Sequence, residues 1–161
     1  MYIAEIDIQW GTLTTYEYSN LAIRFSGVVK QDLWNAIDNI EGYGVLLTTA
    51  EFLDPGQKVQ EYYELADGTG VSKYTNSDTV HGEKATPTQK NGNYLWNLYF
   101  SIDLANAKQE YVAAAFIITT SKVIFLDEIR LSAQSLAYDL IDSGVYPADA
   151  FGGSLSYLAN L

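Results

Sequence analysis

The sequence contains no cysteine. Disulfides, thiolate nucleophiles and cysteine-ligated zinc or iron–sulfur centres are therefore excluded. It has one histidine, His81, inside the polar run VHGEK. A Ser-His-Asp arrangement needs a packed and oriented imidazole, and a lone loop histidine without cysteine makes a poor transition-metal site. Cations are few: 9 Lys and Arg face 20 Asp and Glu, for a net charge of −11. Such a surface repels phosphate backbones and anionic lipid, so neither nucleic acid nor a membrane surface is an expected partner. No apolar run approaches the ~18 residues of a span. The opening MYIAEIDIQW lacks the basic region and apolar core of a leader. It reads as a strand, with the expectation that Met1 lies within a longer protein. GTG at 68–70 and FGGS at 151–154 lack the spacing of phosphate-binding loops.

Aromatic residues are plentiful, with 13 Tyr, 6 Phe and 3 Trp. Tyrosine suits half-wet strand surfaces, and 12 glycines among many Ser and Thr lean the same way. At 161 residues and 48% hydrophobic, the chain is one domain able to bury a core.

Period two recurs along the chain. Tyr2, Ala4, Ile6, Ile8 and Trp10 share one strand face, and LTTYEY follows as a short second strand. In NLAIRFSGVV, Leu21, Ile23, Phe25 and Val29 point inward, Arg24 and Ser26 outward. QDLWNAIDNI changes to helical spacing through Leu33, Trp34, Ile37 and Ile40. YGVLLTTAEFL is apolar on both faces and predicts a central strand. DPG at 54–56 signals a turn, and QKVQEYYELAD a short helix. Residues 68–93 read as a long polar loop holding Pro87, His81 and an Asn-Gly turn. NYLWNLYFSIDL alternates with Tyr94, Trp96, Leu98, Phe100, Ile102 and Leu104 on one face. YVAAAFIITT and KVIFLDEIRLS predict a hairpin. SAQSLAYDLID predicts a helix capped by Ser132, lined by Ala133, Leu136, Ala137, Leu140 and Ile141, and ended by Gly144. Leu155, Leu158 and Leu161 follow at helical spacing.

These elements predict a mainly β protein: an antiparallel β-sandwich, immunoglobulin-like or jelly-roll-like, with one to three peripheral helices. The sandwich spans 1–145, with an inserted helix near 31–40 and a closing helix at 132–142. A tail, 146–161, is expected to continue into a longer chain.

The pair Asp127-Glu128 interrupts an apolar run. In a regular strand Val123, Phe125, Asp127, Ile129 and Leu131 share a face, and a buried Asp127 needs a partner. The simpler reading is a strand leaving its sheet after Leu126 with both acids wet. The other is a structural calcium at Asp127, with Glu5 or Asp7 as co-ligands. Two-carboxylate glycosidase chemistry has many acids to draw on and no pair marked out. Trp10, Trp34 and Trp96 all fall on apolar stripes and read as core. Tyr62, Tyr63, Tyr74 and Tyr99 are the better candidates for exposed sugar platforms. No catalytic residue, metal ligand or cofactor is assigned, and the ligand-binding residues are unknown.

FLDEIRLS resembles the closing strand of jelly-roll carbohydrate-binding modules, although some thirty residues follow it here. That resemblance implies a structural calcium role for Asp127. Over more of the chain, AIRFSGVVKQDLWNAI, GYGVLLTTAEFL and YVAAAFIITTSKVIFLDEIRLSAQSLAYDLI resemble a module of secreted, multidomain surface proteins of Gram-positive bacteria and mollicutes. There it accompanies Ig-like or fibronectin-like domains. This resemblance implies an extracellular, cell-surface, non-enzymatic module for adhesion or structural spacing. Its partners would be other extracellular domains of the parent protein or a host or cell-wall ligand, glycans included. The alternative is a carbohydrate-binding module with a structural calcium.

Overall fold

The computed structural model describes residues 2–9, 22–75, 79–80, 83–84 and 87–161. Trp10, the strand expected from LTTYEY, and His81 lie outside the described residues.

The strands are β1 (Tyr2–Gln9), β2 (Ala22–Lys30), β3 (Ile40–Thr49), β4 (Ser72–Thr75), β5 (Thr79–Val80) and β6 (Glu83–Lys84). They continue with β7 (Thr88–Lys90), β8 (Asn93–Ser101), β9 (Tyr111–Thr119), β10 (Val123–Phe125) and β11 (Ile129–Leu131). The helices are α1 (Gln31–Asn35), α2 (Ala133–Asp142) and α3 (Ser154–Ala159). Sheet A runs β1-β2-β8-β7; sheet B runs β10-β9-β3-β4, with β11 also on β9. All pairings are antiparallel. The expected β-sandwich is thus the fold. Consecutive strands β1–β2, β7–β8 and β9–β10 pair within one sheet. That is the A-B-E-D and G-F-C-C′ order of immunoglobulin-type sandwiches, not the order of a jelly roll.

The alternating stripes explain how the layers meet. Ile23, Phe25 and Val29 of β2 and Trp96 of β8 pack against Tyr43, Val45, Leu47, Ala113, Ala115 and Ile117 of sheet B. Trp96 is 3% exposed. It sits opposite Gly27 on the neighbouring strand. A Cβ on Gly27 would come within 2.5 Å of the indole and 2.9 Å of the Ala115 methyl. The bare glycine therefore leaves the space the ring fills. The indole Nε1 donates across the interface to the Gly44 carbonyl at 2.9 Å. Trp34, from α1, leans on Tyr43, Tyr94 and Trp96.

Sheet B is buried on both faces, as its doubly apolar strands require. Leu46, Val112, Ala114 and Phe116 point away from sheet A. The segment 50–71 covers them with Leu53, Val59 and Val71 and with half-buried Phe52, Tyr62 and Tyr63. Tyr62 stacks edge-on against Phe52, and Tyr63 against Phe116 and Phe125. These two tyrosines serve as packing, which corrects their expected role as surface platforms. At the far end Ser132 caps α2 by accepting from the Ser135 amide at 3.1 Å. Gly144, at φ +78°, ends the turn that follows. Leu155 and Leu158 of α3 are fully buried in the same core as α2.

Two elements depart from expectation. The helix at 31–40 stops at Asn35, because Asn39 turns left-handed at φ +57° and Ile40 already pairs with Thr119. The polar stretch 68–93 is not one loop. Buried Val71 anchors β4 against β3. Asn91 and Gly92, at φ +52° and +79°, make the two-residue turn between β7 and β8.

Burial raises the phenol pKa of Tyr43, Tyr63 and Tyr111, with Glu64 adding to the rise at Tyr63 and Asp103 at Tyr111. A phenol raised in the fold keeps its proton longer there than in the open chain. Its stabilisation is complete below the unfolded value and is lost as pH climbs through the folded one. Thermal melts are expected to hold level up to about pH 10 and fall above it. A melting temperature that rose above that pH would contradict this placement of the three rings.

Candidate functional site

The acid pair sits in a break, not in a regular strand. Phe125 pairs with Phe116, and Ile129 pairs with Ala113. Three residues, 126–128, therefore oppose two, 114 and 115, which is a β-bulge. Leu126 still donates its amide to the Ala115 carbonyl at 2.9 Å. The bulge flips the alternation. Ile124 and Leu126 face the inter-sheet core, and Leu131 joins them there, while Val123 and Phe125 face the outer cluster. The shared face expected for Val123, Phe125, Asp127, Ile129 and Leu131 does not form.

Asp127 is exposed, as the simpler reading expected. Glu128 is not: its side chain is 16% exposed and fully engaged. One oxygen accepts from the buried Val59 amide at 3.0 Å, the other from Arg130 Nε at 2.9 Å. Arg130 also donates from Nη2 to the Gln57 carbonyl at 2.8 Å. The pair thus clasps the segment covering sheet B to the bulged edge. Among the described residues no three acids or histidines come together as a metal would need. Glu5 and Asp7 belong to β1, in register with Ser26 and Arg24.

This division of labour predicts a contrast. Glu128→Ala leaves a buried amide without its acceptor and is expected to cost about 1–3 kcal/mol. Asp127→Ala is expected to stay within about 0.5 kcal/mol. Urea unfolding of both variants checks this, and equal costs would refute it.

The outer face of sheet A carries a different feature. A groove of about 290 Å³ is lined by Arg24, Ser26 and Val28 of β2, Asn93, Leu95 and Asn97 of β8, and Lys90 and Asn91 of the hairpin. Pairing brings these together: Ser26 lies opposite Asn97, Val28 opposite Leu95, and Lys30 opposite Asn93. Ser26 Oγ donates to Asn97 Oδ1 at 2.5 Å on the groove floor. Val28 and Leu95 form an aliphatic strip beside it. Lys90 also lies opposite Asn93, from the other side. One sheet row therefore reads Lys30-Asn93-Lys90. Three amides, a hydroxyl and an aliphatic strip suit side-chain recognition of a polar ligand with an apolar face. Tyr99 pairs with Arg24 at the far end.

A second opening, of about 360 Å³, lies between the sheets at the β4 edge. Val45, Trp96, Leu98, Lys73, Tyr74 and Thr75 line it. Of the expected platform tyrosines whose side chains are described, Tyr74 is the exposed one, at 42%. Of the tryptophans expected in the core, Trp96 is buried there and Trp34 half-buried against it. The sequence did not reveal the groove, since outward polar residues look alike on any strand.

Comparison with protein-family models, curated proteins and solved structures finds no match. Among the described residues no helix is long and apolar enough to cross a membrane.

Proposed function

We propose that this chain is a non-enzymatic module of a bacterial cell-surface protein, acting in adhesion or structural spacing, with the outer face of sheet A as its contact surface. One observation carries the reading. Sheet B is covered on both faces, whereas sheet A presents an amide- and hydroxyl-lined groove outward among the described residues. The chemistry there is suited to holding a ligand. Immunoglobulin-type strand order adds support, since such sandwiches recur as cell-surface modules, though the fold alone does not fix a role.

Beads coated with the chain are expected to attach to bacterial or host-cell surfaces. Beads coated with Asn93→Trp, which fills the groove, are expected to detach readily. Turnover of a surface glycan or peptide by the purified chain would overturn the proposal. The wet position of Asp127 and the engagement of Glu128 lead to a further expectation. EDTA should leave the melting temperature unchanged, whereas the calcium-bearing alternative requires it to fall.

A further inference from the structure

We infer that the sheet A groove binds an acidic oligosaccharide, whose anionic group sits at the Lys30-Asn93-Lys90 row. This rests on the reading of that face as the contact surface. The argument starts from charge. The chain carries only nine basic residues against 20 acids, yet Arg24, Lys30 and Lys90 all lie on this one sheet. Their surroundings differ. Arg24 lies in register with Asp7, and Ser26 with Glu5. At the other end β1 offers Ile3 opposite Val28 and Tyr2 opposite Val29, and no acid. Lys30 and Lys90 are both exposed. The ion pair of Glu128 with Arg130 lies on the other sheet. Asp32, at the start of α1, is the nearest acid in sequence to Lys30.

Position is fixed as well as charge. The Gln31 amide donates to the Gly92 carbonyl at 3.0 Å, which pins the end of β2 to the β7–β8 turn. Between the ends, Asn93, Asn97 and Ser26 offer donors and acceptors at the spacing of alternate strand residues. Val28 and Leu95 offer a C–H surface for the flat side of a sugar ring. A peptide adding as a strand would need the backbone groups of a sheet edge, and a sheet face has none to give. The global charge of −11 opposes an anionic ligand at long range. Beyond the ~8 Å screening length at physiological salt that field is weak, and the two lysines set the contact.

The experiment presents the intact chain to a glycan array holding neutral, uronate-bearing, sialylated and sulfated oligosaccharides at two salt concentrations. Binding is expected to the acidic members, weakening with salt. The doubly substituted K30E/K90E chain is expected to lose about tenfold or more, as charged hydrogen bonds allow. Lys108→Glu, away from the groove, is expected to bind as the parent does. Equal binding by K30E/K90E, binding to neutral glycans alone, or no glycan binding would each overturn the inference. Should beads still attach through the groove while no acidic glycan competes, the ligand class falls and the contact face stands.

Discussion

Replacing Trp96 with alanine is expected to cost about 3–5 kcal/mol, the usual range for a large aromatic deleted from a packed core. For a domain of this size that is a fall of about 6–20 °C in melting temperature. Three features place it at the upper end. The ring is 3% exposed and sits between the sheets. It rests on Tyr43, 5.3 Å between ring centres, and on Trp34 at 5.9 Å. Its Nε1 donates to Gly44 on the opposing sheet. Alanine removes all three and leaves a cavity over Gly27 that the rigid strands cannot close. Trp96→Phe separates the contributions, since it keeps most of the apolar volume and drops the donor. It is expected to cost less than alanine but more than about 1 kcal/mol, the net worth of one hydrogen bond. Chemical denaturation of both variants provides the check. An alanine variant within about 1 kcal/mol of the parent would mean the indole does not join the sheets.

Period two made this interior legible before any coordinates. Ile23, Phe25 and Val29 against Trp96 and Leu98 could be read off as inward residues because each strand has one wet face. The doubly apolar run of β3 marked it as a central strand. Ser132, Gly144 and Asn91-Gly92 announced the cap, the helix end and the turn, because those positions need a particular side chain or a positive φ. The bulge was hidden, because a period-two reading carries regularity past the point where the strand loses it. Asp127-Glu128 marked the place but not the outcome. One acid became the extra residue, and the other found Val59, a partner set by tertiary contact alone. β4 was hidden within a polar stretch because Val71, beside it, supplies its one deeply buried side chain. The groove was the least visible feature. Lys30 and Lys90 are far apart in sequence, and only strand register sets both beside Asn93.

Gly44→Ala is expected to be highly disruptive for the addition of one methyl, costing on the order of 3 kcal/mol, as overpacking does. Gly44 is opposite Phe116 on β9 and Thr75 on β4. A Cβ there would run into the Tyr74 carbonyl and come within 2.6 Å of the Phe116 ring tip. Neither obstacle yields cheaply. Phe116 is fully buried, with Tyr63 at 5.2 Å and Phe125 at 6.5 Å between ring centres. The carbonyl belongs to backbone that pairs with β3. The strand with the weaker hold must give way, and that is β4: four residues at the edge of sheet B. Hydrogen exchange is therefore expected to accelerate at Lys73 to Thr75 well before it does along β9. The same strand lines the opening between the sheets, so Tyr74 and Lys73 should change environment together, and the Lys73 ammonium, 4.1 Å from the Tyr63 ring centre, should leave it. Uniform loss of protection across both sheets would show instead that β4 and the sandwich unfold as one unit. Unchanged protection at β4 would show that the glycine is not what lets these two strands lie against each other.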